Sequence, residues 1–258
     1  MIIRGLQILA LCGLLLACTE DGSSRDDLGA ATADTATSTT PDAQVDSELD
    51  SDSDDDLNAT PPVQATMVVI DPTTGGGSSG VTITTMDDEA TTDESGRATV
   101  NVVPGPYEVV LTKPGARPHR VFGVAGDQNF EQITYMSPDT ITLFVFNSLG
   151  LTDDQNRGIL VVGLDLPNLA PAVGAGATID QPSNESFVFA GIQPAFASEI
   201  PPNGQGFLTF PNVDPGSVNV TVSYAPGTCR VFPAETEDVQ VRITAGEVSV
   251  VAYTCRAE

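Results

Sequence analysis

From Thr66 onward, the apolar residues of this chain fall in short, mostly β-branched runs with turn residues between them. Thr66-Met67-Val68-Val69-Ile70 stops at Asp71-Pro72, and Gly75-Gly76-Gly77 follows. Val81 to Thr85 stops at Asp87-Asp88-Glu89, and Ala98 to Val103, Tyr107 to Thr112, Arg120 to Val124 and Phe130 to Tyr135 come next. Ile141-Thr142-Leu143-Phe144-Val145-Phe146 reads as a further strand, closing this group or opening another. Nothing after residue 60 keeps a helical period. Strands this closely spaced, with Gly and Pro between them, predict an all-β sandwich.

The same plan then recurs. Gly96 to Val103 followed by Pro104-Gly105 is matched by Gly206 to Val213 followed by Asp214-Pro215-Gly216. Tyr107 to Thr112 leads to Pro114-Gly115, as Val218 to Ser223 leads to Pro226-Gly227. Ala125-Gly126 precedes Tyr135, as Ala245-Gly246 precedes Tyr253, and Gly80-Val81-Thr82-Ile83 resembles Gly176-Ala177-Thr178-Ile179. Four matches in one order predict two tandem copies of a β module, over residues 63–137 and 138–258. Pro presets φ and Gly supplies positive φ at each Pro-Gly, sending the chain back as an antiparallel neighbour. Each copy is expected to own a core, so that residues 62–137 would fold alone.

The turn Thr92-Asp93-Glu94-Ser95-Gly96, the strand after it and Pro104-Gly105-Pro106-Tyr107-Glu108-Val109 resemble the carboxypeptidase regulatory-like module. That resemblance implies seven-stranded, transthyretin-like antiparallel sandwiches serving as scaffold or binding appendage, with no catalytic residues to transfer. The second copy departs from the pattern, with Gln205 before Gly206, Ser217-Val218 after its Pro-Gly and a long Pro- and Gly-rich loop from Leu166 to Asn203.

The N-terminus carries a different signal. A basic Arg4, an apolar stretch from Leu6 to Leu16 and Leu15-Leu16-Ala17-Cys18 resemble a bacterial lipoprotein signal peptide. The apolar stretch is shorter than the roughly 20 residues a membrane-spanning helix needs. The resemblance implies removal of residues 1–17, acylation of the Cys18 thiol and a membrane as partner through that anchor. Thr19 in place of Asp points to the outer membrane. Residues 18–62 form the linker; within 19–60, thirteen acidic residues face one base, Arg25, with no aromatic residue. Such a segment predicts an extended, disordered tether.

Residues 61–258 remain acidic, with 22 acids against eight bases, which disfavours nucleic acid as a partner. Of the four cysteines, Cys12 leaves with the signal and Cys18 takes the lipid. Cys229 and Cys255 are then an even pair in an oxidising compartment, which predicts a disulfide.

Catalytic candidates are thin. His119 is the sole histidine, with Arg117 and Arg120 disfavouring its charged form, and no nucleophile elbow accompanies it. One His and two paired Cys are too few for zinc, so neither metal nor cofactor is expected. For calcium, Asp50 to Asp56 lacks the glycine and closing glutamate of an EF-hand, and the turn of Asp87, Asp88, Glu89, Asp93 and Glu94 is the better-placed cluster. With no Trp and four Tyr, a sugar platform is poorly provided. The leading reading is a non-enzymatic, membrane-anchored lipoprotein displaying β-sandwiches in the periplasm or on the cell surface. A lipoprotein that binds glycan or peptide, through a concave patch around Phe187, Phe189 and Phe196, is the alternative; a hydrolase or hydrolase accessory is the third.

Overall fold

The computed structural model describes residues 60–236 and 239–258. The signal peptide, Cys18, Asp50 to Asp56 and nearly all of the linker lie outside these residues. The first copy has seven strands: β1 (Val63–Ile70), β2 (Thr82–Thr84), β3 (Glu89–Thr91), β4 (Arg97–Val102), β5 (Gly105–Thr112), β6 (His119–Ala125) and β7 (Phe130–Tyr135). β1 and β4 alternate buried and exposed residues as the sequence pattern requires. Sheet order is β4-β1-β7 on one side and β3-β2-β5-β6 on the other. Ala65, Met67 and Val69 from β1 meet Val109 and Leu111 from β5 and Ile83 from β2 in the core between them.

Ile141 to Phe146 is not a strand. It lies inside α1 (Asp139–Ser148), and the reason is at the ends. Pro138 sits at the N-cap, where its carbonyl accepts from the Ile141 N–H, and Asp139 places negative charge in the first turn. At the other end the Leu151 N–H donates to the Phe146 carbonyl and the Gly150 N–H to the Asn147 carbonyl. This is a Schellman stop, with Gly150 at φ +69°. Short apolar runs are ambiguous between helix and strand, and here the punctuation decides. Phe146 buries against Ile159 and Val248.

The second copy follows with β8 (Gly158–Asp165), β9 (Ala175–Ile179), β10 (Phe187–Ala190), β11 (Gln193–Phe196), β12 (Phe207–Val213), β13 (Gly216–Val218), β14 (Val220–Tyr224), β15 (Gly227–Val231), β16 (Val241–Ile243) and β17 (Val248–Ala257). Its topology repeats the first. β12-β8-β17 matches β4-β1-β7, antiparallel then parallel. The antiparallel pair β9 with β14 matches β2 with β5, and β13 with β16 matches β5 with β6. Gly105 and Gly216 take equivalent positions with φ of +116° and +137°. β10, β11 and β15 are additions, β13 and β14 together answer to β5, and β3 is left without a match, so this copy has ten strands; the parallel pairs depart from purely antiparallel sandwiches.

The copies are joined through a sheet. β6 pairs in parallel with the first half of β17, from Val248↔His119 to Val251↔Phe122. One ten-stranded sheet therefore runs through both copies. β6 is buried almost throughout, as a strand covered on both faces must be. Its Val121 and Ala125 enter the first core, and its Phe122 and Val124 enter the second.

Candidate functional site

The junction is built from charge as well as backbone. Arg120 on β6 pairs with Glu108 on β5 and with Glu247 beside β17, and Arg242 on β16 reaches the same Glu108, 3.0 Å away. Beyond Val251, the same edge of β17 is taken over by β15, from Val231↔Tyr253 to Gly227↔Ala257. Cys229 and Cys255 are opposite residues of this pairing and are joined by a disulfide. The chain leaving β15 then docks on β6: the Ala234 N–H donates to the Val124 carbonyl at 2.9 Å. Gly123 permits this approach, since a Cβ there would lie 2.5 Å from the Tyr107 hydroxyl and 2.8 Å from the Phe232 carbonyl oxygen.

His119 lies inside this junction and not in a cleft. Its Nδ1 is 2.9 Å from the Arg117 carbonyl oxygen. Burial pushes its pKa down to about 4, which the carbonyl contact and Asp139 only partly oppose. Arg117, itself buried, pairs with Asp153 and lies 3.4 Å from Asp139. This cluster anchors the loop before β6 to the segment after α1.

The acidic turn spends its carboxylates locally. Asp88 Oδ2 accepts from the backbone and side-chain nitrogens of Asn101, and its Oδ1 accepts from the Glu89 N–H. Asp93 Oδ1 accepts from the Ser95 N–H and hydroxyl and from the Arg97 N–H, an Asx turn that fixes the entry to β4. Among the described residues, no three His, Cys, Asp or Glu side chains converge on a metal position.

Two recesses open on the surface. One, of about 640 Å³, is lined by residues 150–157 together with Asn184 and Asn212. Its amides are already engaged: Asn212 Nδ2 donates to the Thr152 carbonyl and to Asn184 Oδ1, while its Oδ1 accepts from the Asp154 N–H. The other, of about 410 Å³, lies between Leu166-Pro167-Asn168 and Cys255-Arg256-Ala257.

The three phenylalanines of the long loop do not form one concave patch. Phe187 is 3% exposed and packs in the interior. Phe196, opposite it in register, is 42% exposed on the outer strand β11. Phe189 has its ring centroid 6.0 Å from that of Phe187 and continues a row of rings, 6.0 Å from Phe207, which is 6.1 Å from Tyr135 of the first copy. Asp165, at the end of β8, stands beside this row. A Cβ at Gly206 would meet its Oδ1 at 2.0 Å, so the carboxyl fills the space where a side chain at 206 would be. Burial pushes the Asp165 pKa up to about 7. Burial, then the Asp165 charge, also raises that of Tyr135. Sequence reading missed Asp165, Tyr135 and Phe207 because they are distant in the chain and each is unremarkable alone.

No protein-family model and no curated protein matches the chain. Among solved structures it is similar to the Bacillus anthracis TIE protein, at 10% identity and TM-score 0.25, over 75% of this chain and 34% of that one. It is similar to a streptococcal ancillary pilin at 13% identity and TM-score 0.24, over 77% and 64%. The minor pilin GBS52 of Streptococcus agalactiae follows at 14% and 0.23, over 76% and 98%. The chain thus spans about a third of the first protein and under two thirds of the second. At these identities and scores the likeness supplies no argument about what the chain does.

Among the described residues, no helix is long and apolar enough to cross a membrane.

Proposed function

We propose that the protein is a non-enzymatic lipoprotein, anchored through Cys18 to a bacterial envelope membrane, the outer membrane by the Thr19 rule, and displaying its two β-sandwiches from an acidic tether. The observation that carries this reading is Leu15-Leu16-Ala17-Cys18 behind a short apolar stretch. The 44 residues 19–62 would reach about 35–40 Å as a flexible chain, further if charge extends them. A display role suits the double sandwich: the Asp88 and Asp93 carboxylates are engaged in turns and the Arg120, Glu108 and Glu247 charges in the junction, and the continuous sheet makes a stiff body for a flexible stalk to carry.

The test is acylation. Cys18→Ser should abolish lipid attachment and move the protein from the detergent phase to the aqueous phase, with the mass of the wild-type N-terminal fragment showing acyl chains on Cys18. A Cys18→Ser protein that partitions like wild type would place the anchor elsewhere or nowhere.

A further inference from the structure

Four residues from both copies meet at one surface point, and the proposed anchor explains none of them. Tyr135 ends β7, Phe207 begins β12, Phe189 lies on β10 and Asp165 ends β8. The Tyr135 and Phe207 rings are tilted by 41°, and Phe207 and Phe189 by 59°. Rings set at such angles make a row of tilted faces along one side of the sheet. A sugar platform instead presents a flat face, so the tilt counts against a glycan.

Asp165 stands at the end of this row without an ion pair: among the described residues, no Lys, Arg or His lies within ion-pair distance of it. Phe207 and Phe189 bring no ionisable group, the β17 residue in register with Asp165 is Thr254, Arg230 of β15 lies one strand further across, opposite Thr254, and Tyr135 is coupled to the Asp165 charge. A carboxyl group partly removed from water, beside aromatic faces, lacks a cation. Ammonium groups are drawn both to ring faces and to carboxylates. The body that carries these rings is acidic, with 22 acids against eight bases after residue 60, and its field raises the local concentration of cations.

We propose that Tyr135, Phe207, Phe189 and Asp165 form a binding site for an alkylammonium group, supplied by a lysine side chain or by a quaternary ammonium compound. A primary ammonium would donate to the Asp165 carboxylate while its methylenes lie on the rings. A quaternary ammonium would use the ring faces and the charge without a hydrogen bond. Either would draw Asp165 into its ionised form. The site depends on the pairing of β6 with β17, because Tyr135 belongs to the first copy and the other three residues to the second.

The full-length protein should be titrated by NMR with Nα-acetyl-lysine amide and, separately, with tetramethylammonium. Saturable shifts at Tyr135, Phe207 and Phe189 are expected, with the Asp165 titration midpoint moving to lower pH as the probe is added. Tighter binding of lysine amide identifies a protein amine as the source, and tighter binding of tetramethylammonium a quaternary group. Asp165→Asn and Tyr135→Leu should each weaken binding by about tenfold. Asp165→Asn is nearly isosteric, so it keeps the test decisive if Tyr135→Leu disturbs the junction. Saturation by neither probe, or equal binding by wild type and both variants, overturns the assignment.

Discussion

In the first copy β7 ends its sheet, bonded only to β1, whereas the equivalent strand β17 of the second copy is bonded on both sides. One side of β17 holds β8 from Val248 to Thr254, and the other holds β6 and then β15. The tandem repeat therefore fixes the order of strands but not what happens at their edges. That is decided by what each copy has added. The second copy inserts β15 and staples it with Cys229–Cys255; the first lends β6. Each addition covers part of an edge that would otherwise present unpaired backbone groups to other chains.

The comparison can be broken by separating the copies, and this should be the largest effect. A fragment of residues 62–137 keeps its own core but uncovers the β6 edge and the Phe122 and Val124 side chains that enter the second core. It is expected to associate through β6 and to lose most of its stability, as seen by sedimentation and thermal unfolding. A monomeric fragment with the melting behaviour of the intact protein would mean that the junction is ornamental. Within the intact protein, Met67→Ala in the first core and Leu160→Ala in the second should each cost about 2–5 kcal/mol. If the continuous sheet couples the copies, both variants lower a single unfolding transition; two transitions, each moved by one variant, would show independent units.

The second copy alone should respond to loss of its staple. With the cysteines separated by 26 positions in sequence, Cys229→Ala with Cys255→Ala should cost roughly 3–4 kcal/mol on the chain-entropy view. Hydrogen exchange should rise in β15 and the last half of β17 while β1 and β4 stay protected. A smaller loss, about 1–3 kcal/mol, is expected for Gly123→Val, whose added atoms collide with the Tyr107 ring and the Phe232 carbonyl. Exchange should then rise in β6 and the first half of β17, and the Tyr135 contact with Phe207 should loosen.

The strands, the Pro-Gly turns and the repeat were legible because each is a local pattern. Gly105 and Gly216 could be aligned on sequence alone, and the structure gives them the same backbone role. Ile141 to Phe146 reads as a strand because its residue types favour one; Pro138-Asp139 and Leu149-Gly150 are the start and stop signals that outweigh them. The pairing of β6 with β17 was invisible, since nothing in His119 to Ala125 says which strand will lie beside it. What the sequence did carry was the unbroken burial-prone run Val121 to Ala125, which suits a strand covered on both faces better than an edge. The ring row around Asp165 was hidden for the same reason: its members are 18 or more residues apart and come from both copies, and only the fold assembles them.

The smallest effect sets the copies against each other by pH. His119, buried at the start of the first copy's β6, has its pKa lowered to about 4, so between that value and its unfolded value near 6.5 the unfolded chain binds more protons. Stability from this group is then lost as pH falls through that window. Asp165 in the second copy has the opposite sign: its pKa is raised to about 7, so from an unfolded value near 4 upward the folded chain holds the extra proton, and stability is lost as pH rises toward 7. The two slopes oppose each other between about pH 4 and 6.5. Wild-type stability should therefore change little from these groups across that range. His119→Gln should leave a profile that falls with pH, and Asp165→Asn one that rises, each tilted by roughly 1–2 kcal/mol once solvent around the half-buried Asp165 is allowed for. Chemical denaturation at four pH values measures both slopes relative to wild type. Profiles parallel to wild type in both variants would mean that neither group titrates differently on folding, and would remove the electrostatic part of the contrast between the copies.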